Sequence, residues 1–152
     1  MALIHRLAKA LSEKNESHDV KYALLNSDPQ LATRPFNERA RLCDLWDREM
    51  VEEADAVVAE ASFPGIGLGI ELQLAEAKNI PTIICSSDYG GNRATRVTYE
   101  NPDYERHDLQ IGSGYVSLMA LGLPNVFSVV QYKKADDGIA RICDVLAVLD
   151  RG

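Results

Sequence analysis

Of the 152 residues only three are cysteines, Cys43, Cys85 and Cys143. They are odd in number, far apart, and form no C-x-x-C pair and no Cys/His cluster, which argues against a disulfide framework and against a structural zinc site. Cys85 lies in an apolar strand-like run and Cys143 in a helical one, so both are expected to be buried, reduced thiols of a cytoplasmic protein. No apolar run approaches the roughly 18 residues that span a bilayer. Residues 1–10 carry His5, Arg6 and Lys9 and lack the continuous apolar stretch of a secretory signal. Positive charge is also short: 16 Lys and Arg stand against 23 Asp and Glu, a net charge of −7. That argues against a general nucleic-acid binder, which needs a basic face to replace counterions. It leaves a small anionic ligand open, because a few N–H groups and one or two arginines suffice to hold one. The histidines His5, His18 and His107 are scattered, Ser62 is not in a G-x-S-x-G elbow, and there are no repeats or low-complexity segments. No metal and no organic cofactor is implied.

What is there is an ordinary globular composition, 46% hydrophobic and 26% charged, over a length that suggests one domain, residues 1–152. Leu3, Ile4, Leu7, Ala8 and Leu11 recur at helical spacing and predict a helix over 2–14. A short strand is expected at 20–25 and a loop at 26–35, punctuated by Asp28-Pro29 and Arg34-Pro35. A helix is expected over 37–54 with Asn37 as its N-cap. A small, β-branched strand at 55–61 leads into a glycine-rich turn at 62–69, a helix at 70–78 and a strand at 81–86. Residues 87–107 read as a long polar loop and 109–123 as partly helical. A strand at 125–131 and a helix at 136–149 close the chain. Strands alternating with helices imply right-handed βαβ units and a mostly parallel sheet covered on both faces. In such sheets ligands bind beyond the carboxyl ends of the strands, which places 62–69 and 87–96 on the functional edge. The chain opens on a helix where a doubly wound sheet usually opens on a central strand. This reads either as a shortened N-terminus or as a departure from the usual topology.

The most informative stretch is 54–77, ADAVVAEASFPGIGLGIELQLAEA. A strand enters a turn bearing Gly65, Gly67 and Gly69, and a helix follows at once. Glycines there let the backbone approach a ligand, and the free N–H groups of a helix start attract anionic or polar groups. The spacing is not G-x-G-x-x-G, which disfavours a dinucleotide site. Glu71 is expected in the first helical turn, where the helix dipole favours its ionised form. Acids are common in first turns simply because they stabilise them, but a carboxylate held there is also able to attack an anomeric carbon.

This stretch, AD-A-VVAE-A-S-x-P-G-I-G-L-G-I-EL, resembles the signature of the 2′-deoxynucleoside 5′-phosphate N-hydrolases and nucleoside 2-deoxyribosyltransferases. The resemblance covers residues 37–86, is loose over the first helix and is poor after Ser87. It implies that Glu71, two positions after the last glycine, is the nucleophile. It also implies a role for Asp47, eight residues before Asp55, in contacting the base or reacting centre and assisting proton transfer. Read on its own, Asp47 belongs to a face with Asp44, Glu49, Glu52 and Glu53 that is open to a purely solvated role. Beside Trp46 and Met50 it is equally open to partial burial, with a raised pKa and a proton to donate.

The chain departs from the resembled pattern in its missing first strand and sugar-binding loop. It departs also at Gly65, where the hydrolases usually carry a serine after the turn proline. Arg93 and Arg96 are candidate partners of a 5′-phosphate. Ser117 is the position that, by the resemblance, serves a phosphate from a neighbouring subunit. Trp46 and Tyr89 are able to stack on a base, although packing is the commoner use of such rings.

Pattern and resemblance together predict an α/β, Rossmann-like (flavodoxin-like) doubly wound fold with helices on both faces of a mostly parallel sheet. The resemblance further implies a homodimer acting on a small nucleoside or nucleotide, with no nucleic acid or membrane partner. The expected chemistry is N-glycosidic cleavage by hydrolysis or sugar transfer, and the P-G-I-G-L-G-I-E form is closer to the hydrolases. The rival reading is a nucleotide-binding module of the same fold without catalysis.

Overall fold

Buried apolar residues along the chain arrange themselves around one strand, β2 (Thr82–Ser87), whose six residues are all buried. A near-continuous apolar run of this kind is what the middle of a parallel sheet requires, because both faces are covered. In the computed structural model, which describes residues 3–14, 18–63, 65–109 and 114–151, β2 pairs in parallel with β1 (Val57–Glu60) on one side and with β5 (Val126–Tyr132) on the other. The order β1-β2-β5 leaves β1 and β5 as edge strands.

Alternation along β2 sends Ile83 and Cys85 to one face. There they join Val130 and Tyr132 of β5, Leu3, Leu7 and Leu11 of α1 (Leu3–Lys14), and Ile139, Ile142, Cys143 and Leu146 of α7 (Ala135–Leu149). Ile84 goes to the opposite face with Ala59, Ala61, Val116 and Leu72 of α5 (Ile66–Ala77), under the short α6 (Leu118–Leu121). A third cluster, Val51, Ala75 and Ile80, fastens α4 (Phe36–Glu52) to α5. The result is an α/β fold of Rossmann-like, flavodoxin-like type, with helices on both faces of a parallel sheet. No helix among the described residues is long and apolar enough to cross a membrane.

Several local expectations are corrected. Residues 20–25 do not form a strand. Tyr22 is extended, but α2 (Ala23–Asn26) follows at once, and Asn26 takes the Tyr22 N–H at 3.0 Å. An extended segment without a ladder partner yields to local helix bonds. The loop at 26–35 contains α3 (Asp28–Ala32), since Pro29 falls in the first turn, where it starts a helix instead of breaking one. Pro35, not Asn37, occupies the cap of α4, with no side-chain cap bond.

The polar loop at 87–107 holds an antiparallel hairpin, β3 (Val97–Glu100) with β4 (Arg106–Leu109). Cross-strand pairs bind it: Thr98 to Asp108 at 2.7 Å, Arg106 to Glu100 at 3.3 Å, and the stacked Tyr99 and His107 rings. The helix expected within 109–123 shrinks to α6, and residues 110–113 of that span lie outside the described residues.

The glycine-rich turn is shorter than its glycines suggest. Gly65 caps α5, which begins at Ile66, so Gly67 and Gly69 are helical, and Gly69 N–H already donates to Gly65 O at 3.2 Å.

Candidate active site

That shift moves Glu71. Counted from Ile66 it is the sixth residue of α5, and no acid stands in the helix's first turn. The expectation of a dipole-favoured, ionised first-turn carboxylate therefore fails, because the dipole effect fades within one turn. Burial comes first in holding the carboxyl of Glu71 above the ordinary range, and the nearby charge of Asp47 adds to it.

Asp47 reaches this neighbourhood because Val51, one turn further along α4, packs on Ala75 of α5 and locks the two helices together. Its two oxygens differ. Oδ2 accepts the Cys43 thiol at 3.2 Å. Oδ1 is buried and has no hydrogen-bond partner among the described residues. The bond to Asp47, then burial, push the Cys43 thiol up to about 11. The structure thus brings together the two acids singled out in the sequence and adds a thiol that the sequence did not mark. Its one trace in the sequence is the i, i+4 spacing of Cys43 and Asp47, which carries no signal until burial is known.

A second polar assembly, also missed, lies at the carboxyl ends of all three parallel strands. Glu60 ends β1 and accepts the Ser62 hydroxyl, the Ser62 N–H at 3.3 Å and the Tyr132 hydroxyl at 3.1 Å. Ser62 Oγ accepts the Ser87 N–H at 2.8 Å, and Asn92 donates to the carbonyls of Ser62 and Ser87 at 2.6 and 2.7 Å. Tyr132 is carried in over Gly138 of α7, where any Cβ would meet the ring at 2.7 Å. Burial holds its phenol far above the usual range. Glu60 and Tyr132 lie 72 residues apart, and only the parallel register joins them.

The remaining candidates fall around these two groups. A Cβ at Gly65, Gly67 or Gly69 would meet nothing within 4 Å, so all three border open space. The charge of Arg93 acts on Asp88, whose carboxyl is held below its ordinary range first by the Gly90 N–H and then by the Tyr115 hydroxyl. Arg96 is exposed. Ser117 is exposed, and its hydroxyl caps α6 by accepting the Met119 N–H at 3.2 Å. Tyr89 stacks on Phe63 with centroids 5.5 Å apart, and the guanidinium of Arg34 lies 6.0 Å from the Trp46 ring centre. Among the described residues no cluster of His, Cys, Asp and Glu could hold a metal ion.

Two half-buried acids thus stand on the helices before and after β1, the first strand of the parallel sheet. Over 37 residues the chain is 51% identical to a protein of Syntrophotalea carbinolica provisionally named 2′-deoxynucleoside 5′-phosphate N-hydrolase 1, a stretch that is 24% of this chain and 26% of that protein. No family model matches the chain.

Proposed function

We propose that the chain cleaves the N-glycosidic bond of a (deoxy)nucleoside or its 5′-monophosphate, with Glu71 as nucleophile. The observation that carries this reading is the pair Asp47 and Glu71, two half-buried acids of which burial, and then the charge of Asp47, raises the proton affinity of Glu71. Such a pair shares a proton, and its passage from Glu71 to Asp47 leaves Glu71 ionised and Asp47 able to protonate a leaving base. Glu71 in its ionised form attacks C1′. The C1′–N bond breaks with its electron pair going to the base, which leaves with a proton from Asp47 or with a hydrogen bond to its ring. Water then attacks C1′ of the sugar ester, and the free sugar and Glu71 are regenerated. A second base in place of water gives transfer.

In this reading the open space at Gly65, Gly67 and Gly69 admits the sugar and phosphate against the α5 N-terminus. Arg93 and Arg96 meet the phosphate, and Ser117 serves the site of a partner in a homodimer. The similarity to a protein named as a 5′-phosphate N-hydrolase favours hydrolysis of a nucleotide.

The second reading, a nucleotide-binding module without catalysis, is favoured by β1 being an edge strand. Among the described residues no strand pairs with its free edge. Incubation with a panel of nucleosides and 5′-monophosphates, followed by chromatography, separates the two. Base release from any member that is lost in Glu71→Ala supports the enzyme. Binding without release from folded protein supports the module.

A further inference from the structure

Between α4 and α5 a single thiol meets a carboxylate that is only half satisfied. Cys43 and Asp47 lie one helical turn apart on the same face, the separation at which side chains stand one above the other. The thiol donates to Oδ2 at 3.2 Å, while Oδ1 is buried and without a partner among the described residues. Native structures pair nearly all such atoms, so an orphaned carboxylate oxygen beside a second acid is open to a donor from beyond the described residues.

We propose that Cys43 is a positioning residue, whose thiol clamps Oδ2 of Asp47 and so reserves Oδ1 for a donor on the ligand, a base N–H or a sugar hydroxyl. This rests on the reading of Asp47 and Glu71 as part of a nucleotide site. A thiol suits the task because it is a weak, uncharged donor: it fixes the carboxylate's rotation without neutralising it. Three carboxylates act on Cys43 from the surrounding elements: Asp28 on α3, Asp47 on its own helix and Glu71 on α5. They keep the thiol protonated, hence a donor, throughout the neutral range. Nothing else about Cys43 requires a cysteine, since serine supplies a similar donor at similar reach and alanine fits the helix equally well.

The test follows the carboxyl carbons of Asp47 and Glu71 by 13C NMR across pH in the wild type, Cys43→Ser and Cys43→Ala, with Asp47→Asn for assignment. Without the clamp the pair binds its protons more tightly. Cys43→Ala is expected to raise its apparent titration by about half a unit to one unit, and Cys43→Ser to restore it. Equilibrium dialysis with deoxyguanosine and deoxyadenosine 5′-monophosphates is expected to show about three- to tenfold weaker binding to Cys43→Ala and recovery in Cys43→Ser. Circular dichroism confirms that each variant is folded. Should alanine titrate and bind like wild type, the clamp is overturned, even if Glu71→Ala abolishes base release and the functional reading stands. Should the titration shift appear in a protein that neither binds nor cleaves any member of the nucleoside and 5′-monophosphate panel, the hydrogen bond is real but its service to a ligand is overturned, together with the functional reading.

Discussion

Asp47 on α4 adds its charge to the burial that raises the proton affinity of Glu71 on α5, across helices held together by Val51 and Ala75. Packing of two small or branched side chains therefore brings this charge to bear. Asp47→Asn removes that charge and is expected to lower the Glu71 titration, read by carboxyl NMR. An unchanged titration would mean that burial alone is responsible.

The same displacement has a stability consequence. The Glu71 carboxyl is held above its ordinary value of 4.5, so the folded state binds this proton more tightly than the unfolded chain. Its contribution is fully present below the unfolded value and is lost as pH rises through the folded one. Glu71→Gln keeps the shape without the ionisation. Urea unfolding of both proteins at pH 4 and pH 7 is expected to show the variant gaining on the wild type at the higher pH.

Tyr132→Phe keeps the ring against Gly138 but deletes the hydroxyl that reaches Glu60 at 3.1 Å and Tyr89 at 3.3 Å. Loss of a buried hydrogen bond to a carboxylate is expected to cost about 1.5–3 kcal/mol, measurable by urea denaturation.

Gly138→Ala places a Cβ at 2.7 Å from the Tyr132 ring. Overpacking of that kind costs about 1–3 kcal/mol. In Tyr132→Leu the same alanine is expected to cost much less, so the double-mutant cycle is strongly non-additive.

The parallel core was legible in the sequence because its physics is local. The run TIICS is apolar on both faces, as a central strand must be, and Ile139, Ile142 and Leu146 mark the buried side of α7 at helical spacing. The hairpin from Val97 to Leu109 was hidden because β3, although Val97 and Tyr99 alternate with Thr98 and Glu100, is only four residues long and exposed on both sides. Gly67 and Gly69 read as a turn, since glycine is poor in helices, yet tertiary packing of Leu72 and Ala75 keeps them helical. That placed the start of α5 one turn too late and Glu71 one turn too early. The two acids were legible through their spacing. The Cys43 thiol was not, since an i, i+4 pair is uninformative until burial is known, and the bond from Tyr132 to Glu60 exists only once β1, β2 and β5 are in register.

Gly65→Ser restores the hydroxyl that the resembled hydrolases carry after the turn proline. The backbone at Gly65, with φ −136 and ψ 139, suits any residue, and nothing lies within 4 Å of its Cβ position. Stability is expected to change by a few tenths of a kcal/mol at most, about the difference between serine and glycine at an N-cap. KM for a 5′-monophosphate is expected to fall relative to the matching nucleoside. Equal KM values for both would separate Gly65 from the phosphate.

The central claim is that Glu71 forms a bond to C1′. Rapid acid quenching during turnover of a 5′-monophosphate, followed by proteolysis and mass spectrometry, tests it directly. The account predicts a sugar-phosphate adduct on the peptide containing Glu71, absent from Glu71→Gln, with base release reduced by at least about a thousandfold in that variant. Base release that continues undiminished in Glu71→Gln would contradict it.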